Sequence, residues 1–186
     1  ASYYDTWFTD DMDKNLQDHG IETHFCERAT AYKGTKRVEA IVTDKGEYPV
    51  DMVINAIGFI PNTELGRDHL QCLANGAYHV DSHQQTSDPD VYAVGDCASI
   101  YSNALRAETY IALATNAVRS GIVAGHNVGG TQLDAIGVQG SNGISIFGYN
   151  MVSTGLSVKA AEKNGIKVKY SDFEDLQRPG FMKENA

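Results

Sequence analysis

No Gly-x-Gly-x-x-Gly occurs anywhere in these 186 residues, so the chain lacks the glycine loop that presents backbone N–H groups to a dinucleotide pyrophosphate. Cysteine is scarce as well: Cys26, Cys72 and Cys97 are widely spaced and form no Cys-x-x-Cys, which argues against a metal or dithiol motif and for reduced thiols in a cytoplasmic protein. No apolar run approaches the ~20 residues of a membrane span, and no basic stretch followed by an apolar one marks a secretory signal, so no membrane partner is expected. Positive charge is in short supply too, with 15 Lys and Arg against 24 Asp and Glu and a net charge of −9. Without a basic stripe to displace counterions, a nucleic-acid partner is not expected. Any phosphate-bearing ligand would then rest on backbone N–H groups and helix N-termini. The chain also has no initiator Met and ends abruptly, and we read it as a piece of a longer protein.

What is present is globular in character, at 42% hydrophobic and 21% charged residues. Phe8, Met12 and Leu16 recur at i+4 behind an acidic first turn and ahead of Gly20, which predicts a helix over 9–19. A strand is expected at 21–25. A β-meander is expected over 28–55, with turns at Lys33-Gly34 and Asp44-Lys-Gly46. The near-continuous apolar run 52–57 suits a strand buried on both faces. Leu65, Leu70 and Leu73 are candidate anchors of a short helix.

The most informative stretch is Thr86-Ser-Asp-Pro-Asp-Val-Tyr-Ala-Val-Gly-Asp-Cys-Ala98. A turn feeds a short apolar strand, 91–94, which ends on Gly95-Asp96. Ligands of open α/β sheets sit at the carboxyl ends of strands, and a carboxylate there can accept hydrogen bonds from a sugar hydroxyl. A helix is expected over 110–127, rich in Ala, with Gly121 and Gly125 one turn apart for close packing. Beyond Gly129-Gly130 the glycines Gly137, Gly140, Gly143, Gly148 and Gly155 interrupt short apolar strands such as 143–147. Ser157 is placed to cap a helix over 158–164 with Gly165 following it, and 166–170 reads as one more strand. None of the six histidines has a triad or metal-ligand setting, and His24 and His126 read as packing or surface residues. Tyr101 and Tyr110 bracket the loop before the helix and are assigned to loop packing.

Four stretches in this order and spacing carry a resemblance: Ala56-Ile-Gly-Phe-Ile-Pro-Asn-Thr63, residues 86–98, Tyr110-Ile-Ala-Leu-Ala-Thr-Asn-Ala117, and Gly137-Val-Gln-Gly-Ser-Asn-Gly143 with Ser153-Thr-Gly155. Together they resemble the flavin-dependent pyridine nucleotide-disulfide oxidoreductases, nearest the subgroup of cysteine-using NADH oxidases, NADH peroxidases and coenzyme A-disulfide reductases. The implied fold is α/β: a fragment of FAD/NAD(P)-binding three-layer ββα Rossmann-like domains plus the start of an α+β dimerisation domain. Residues 1–57 resemble the closing part of the NAD(H)-binding domain, 58–131 the second segment of the FAD-binding domain, and 132–186 the beginning of a C-terminal domain that pairs two subunits as a homodimer.

The resemblance implies FAD and NADH as cofactors, with O₂ reduced, to water in the expected case, and peroxide or coenzyme A disulfide as alternative acceptors. It implies that Asp96 binds the ribityl chain of FAD, with Gly95 admitting it. Ala112, Leu113 and Ala114, at a helix N-terminus, would face the pyrimidine edge of the flavin. Such an end carries about half a positive charge, which suits the negative charge that develops there in the reaction. Gly58, Ala112 and Gly143 would lie near the nicotinamide nucleotide. The redox cysteine belongs to the family's N-terminal portion, so no catalytic residue is expected here, and Cys97 is read as a structural thiol. Ile60 stands where many relatives carry Arg in Gly-x-Arg-Pro-Asn, which removes any role for that charge. Three partial domains would also leave apolar faces exposed, so association or marginal stability is expected, together with an inactive, cofactor-free chain.

Overall fold

The computed structural model describes residues 3–175 and 181–182. Helix α1, Thr6–Asp18, begins three residues earlier than the apolar spacing implies. Asp5 is its N-cap residue, yet the Asp5 side chain does not bond into α1. Its carboxylate instead accepts the backbone N–H groups of Val158 at 3.1 Å and Lys159 at 3.4 Å. Those residues open helix α3, Val158–Lys163, so an anionic side chain from the start of the chain sits against the positive end of a helix near its close.

The meander follows as an antiparallel sheet ordered β1-β2-β3, with β1 at Ala29–Lys33, β2 at Ala40–Thr43 and β3 at Glu47–Pro49. Ile41 pairs with Tyr32 on one side and Tyr48 on the other. Gly34 has φ +137°, and a Cβ there would lie 1.9 Å from the Arg37 carbonyl oxygen, so the β1–β2 turn closes only around glycine. Hairpins β4–β5, Ile100–Ser102 with Ala107–Thr109, and β6–β7, Asn142–Ile146 with Tyr149–Ser153, complete the strands. Helix α2, Ala114–Val128, lies between these hairpins in the chain. As expected, Ser157 caps α3, its hydroxyl accepting the Ala160 N–H at 3.2 Å, and Gly165 follows in the left-handed region at φ +72°.

A small core gathers in the middle of the chain. Tyr78, Val80, Ala93 and Ala98 are buried together, with Leu70, Cys72 and Cys97 packed against them. Tyr78 is the pivot: its hydroxyl donates to the Thr63 carbonyl and accepts the Gly66 N–H, both at 2.9 Å, and its backbone pairs with Ala98. Elsewhere α1 bears on the last hairpin. Tyr4 donates to Asn142 at 2.6 Å, Asn15 to the Ile146 carbonyl at 2.9 Å, and the His19 ring stacks on Phe147 at 4.4 Å.

Four expected strands do not form. Residues 21–25, 52–57 and 166–170 belong to no strand, and a strand needs a neighbour to take its alternating N–H and C=O groups. None is paired with them in a ladder among the described residues. Residues 91–94 are extended but paired along one edge only, by the Gln85–Tyr92 bridge and the Ala93 N–H to Gln84 bond of 3.1 Å. Helix α2 starts at Ala114 rather than Tyr110 because the residue before it, Leu113, is extended and the Ile111 carbonyl is taken by a side chain. Asn116 donates to the Ile111 carbonyl at 3.2 Å, and Leu113 is an extended N-cap residue at φ −139°.

Candidate functional site

Gly95, Asp96 and Cys97 form a single turn of 3-10 helix where the extended residues 91–94 end. Gly95 sits at φ +71°, and a Cβ on it would stand 3.4 Å from the Ala117 side chain. The backbone therefore favours glycine at this position, and α2 packs against it at ordinary contact distance. Asp96 points outward at the surface, and no side chain or backbone group among the described residues hydrogen-bonds its carboxylate. A carboxylate free of protein partners is an acceptor for hydroxyls of something else.

Helix α2 runs out from beside this turn. Leu113 gives it no side-chain cap. The first-turn N–H groups of Ala114 and Thr115 have no intrahelical acceptor, and the positive end of the helix stays open. The turn and the helix start are joined by two side chains. Ser120, buried on α2, accepts the Gly95 N–H at 3.0 Å. Tyr110, just before α2, donates its hydroxyl to the Asp96 carbonyl at 2.7 Å. Burial, with the negative charge of Asp96 nearby, holds the Tyr110 hydroxyl above its ordinary range.

The structure thus brings Gly95 and Asp96 together with the start of α2, where Ala112, Leu113 and Ala114 lie. Gly58, at φ +99° and with open space around it, reaches this neighbourhood through its successor: the Phe59 and Tyr110 rings meet edge to face at 6.4 Å. Gly143 is not drawn in. It pairs with Val152 inside β6–β7 in ordinary strand geometry, and no contact joins it to the turn. Tyr110 and Ser120 are the functional candidates that sequence reasoning missed. Tyr110 was visible as an aromatic beside the helix start, whereas a serine inside a helix gives no such sign.

Cys97 donates to the Val94 carbonyl at 3.3 Å and packs on the core, in keeping with a structural thiol. Among the described residues no His, Cys, Asp and Glu cluster could hold a metal ion. A cavity of about 520 Å³ lies beside α2, walled by Val80, Ile100, Val123 and Val138 among others. Of the residues that build the turn only Ser120 lines it, so the cavity is packing space beside the site rather than the site itself.

A turn that ends an extended run on a free carboxylate, set against an open helix N-terminus, is a nucleotide-binding arrangement of α/β proteins. Residues 2–121 match the family model described as pyridine nucleotide-disulphide oxidoreductase, and the chain belongs to that family. It is 64% identical, over its whole length, to an NADH oxidase of Lactococcus lactis subsp. cremoris and 54% identical over 98% of its length to one from Streptococcus pyogenes. The solved structure of a water-forming NADH oxidase from Lactobacillus brevis bound to NADH superposes on 99% of the chain with a TM-score of 0.93 at 36% identity. The α/β fold expected from the sequence is therefore that of the family. The chain spans 42%, 40% and 41% of these three proteins, about two fifths of their length.

Proposed function

We propose that this chain supplies one side of the flavin site in an FAD-dependent NADH oxidase that reduces O₂ to water. The observation that carries the reading is the Gly95–Asp96 turn held against the open N-terminus of α2. Its chemistry suits the cofactor: an unengaged carboxylate for the ribityl hydroxyls, and helix N–H groups of Ala114 and its neighbours for the electron-rich pyrimidine edge. FAD, when bound, supplies the two-electron redox chemistry that links NADH to O₂. The residues of this chain hold and orient it, and the helix end favours the negative charge that develops beside it. Gly58 and Ala112 are assigned to the nicotinamide side. Gly143 is assigned there too, with weaker support because no contact ties it to the turn.

The same proposal divides the chain at 57 and 131 into NAD(H)-binding, FAD-binding and dimerisation portions, and places a homodimer contact beyond residue 131. A cytoplasmic setting fits the three free cysteines. The 186-residue chain alone is inferred not to retain flavin, because no Gly-x-Gly-x-x-Gly loop is present to take the pyrophosphate.

The stoichiometry of the flavin-loaded enzyme carrying this sequence tests the activity. A water-forming oxidase consumes one O₂ for every two NADH, and catalase leaves the ratio unchanged. One O₂ per NADH, with half the oxygen returned by catalase, would show a peroxide-forming oxidase instead. NADH turnover only with peroxide or coenzyme A disulfide would move the protein to a different member of the subgroup.

A further inference from the structure

Resting on the flavin reading above, we propose that Tyr110 and Ser120 are positioning residues that fix the direction in which Asp96 presents its carboxylate to the flavin polyol. The two bonds bracket a two-residue piece of backbone. Ser120 takes the N–H at its beginning, that of Gly95, at 3.0 Å, and Tyr110 takes the C=O at its end, that of Asp96, at 2.7 Å. The direction in which the Asp96 side chain leaves the backbone is set between these fixed points.

The brackets come from different elements and are themselves held. The Ser120 hydroxyl donates onward to the Ala117 carbonyl at 3.0 Å, so its lone pair is aimed at Gly95. The Tyr110 ring is held along one edge by Phe59. Inside the bracket the Ala98 N–H closes on the Gly95 carbonyl at 3.1 Å. Glycine at position 95 would otherwise be the most permissive residue in the turn, since it populates both signs of φ. Pinning both ends offsets that freedom before a ligand arrives, which is how preorganised sites avoid an ordering cost on binding.

The test is a flavin titration of the apo form of the enzyme carrying this sequence, followed by fluorescence quenching. Tyr110→Phe keeps the ring against Phe59 and removes only the hydroxyl. Ser120→Ala removes the acceptor for Gly95, and Ser120→Thr restores it. Each loss is expected to weaken FAD binding by roughly fivefold to tenfold, the worth of one hydrogen bond. Ser120→Thr and the control Tyr101→Phe should bind as the unaltered protein does.

Binding within twofold of the unaltered protein for both Tyr110→Phe and Ser120→Ala would overturn the proposal. So would a fall in apo-protein melting temperature with no change in flavin affinity, which marks a structural role alone. Asp96→Ala, run alongside, separates the two readings. If it leaves FAD binding intact, the flavin site itself is misplaced. If it weakens binding while the other two do not, only the positioning role fails.

Discussion

Residues 91–94 and 52–57 are near twins in composition and opposites in structure. Both are short β-branched runs that read as buried strands. In the first, Ala93 is buried, Tyr92 bridges Gln85, and the chain leads directly into the candidate flavin turn. In the second, Met52, Ile54 and Ile57 are 74%, 81% and 95% exposed. The difference is not hydrophobicity but pairing: the first run is bridged to the 77–85 segment, and the second is paired with no strand among the described residues. Apolar sequence states a demand for burial, and a neighbour meets it.

Breaking the well-accompanied region should cost most. Tyr78→Ala removes the central core ring and both of its hydroxyl bonds. It should lower unfolding free energy by about 3–5 kcal/mol in denaturant titration. Tyr78→Phe, which keeps the ring, should cost about 1–3 kcal/mol. Next comes Gly95→Ala, where φ +71° opposes a Cβ. A loss of about 1–2 kcal/mol is expected from the backbone alone.

A more local effect belongs to the meander. Glu27 accepts from the Thr43 and Tyr48 hydroxyls and faces His24, 3.2 Å from the His24 ring nitrogen, with Lys45 also near. The Thr43 hydrogen bond, more than the neighbouring charges, holds its carboxyl below the ordinary carboxylate range. A carboxylate depressed in the folded state stabilises above its unfolded pKa, about 4.3, and that contribution fades as pH falls through the lower folded value. Glu27→Gln should therefore flatten the acid limb of the stability profile, and because Glu27 also raises the Tyr48 hydroxyl that donates to it, the alkaline limb should shift as well. The smallest change in stability is expected from Ile54→Ser and Ile57→Ser, within about 0.5 kcal/mol because both side chains are already in solvent. Their effect should appear instead as reduced self-association in analytical ultracentrifugation.

Local features were the legible ones. The Ser157 cap, the Gly34 turn, the Gly95-Asp96 pair and the helix that follows all depend on residues within a few positions of one another, and short-range patterns record them. Pairing is not local, and four apolar runs were read as strands because composition does not say what lies alongside. The same limit hid the bracket around the turn. Tyr110 is 14 residues from Asp96 and Ser120 is 25 from Gly95, so each bond exists only through the fold. Asp5 is the extreme case: it directly precedes α1, yet its carboxylate caps α3, which begins 153 residues later.

The central claim is that Asp96 holds the flavin polyol, and one substitution tests it most directly. In the enzyme carrying this sequence, purified with its yellow cofactor, Asp96→Ala should lose most of its FAD on gel filtration while Asp90→Ala, a carboxylate in the preceding turn, retains it. Full flavin content in the Asp96→Ala protein would contradict the account.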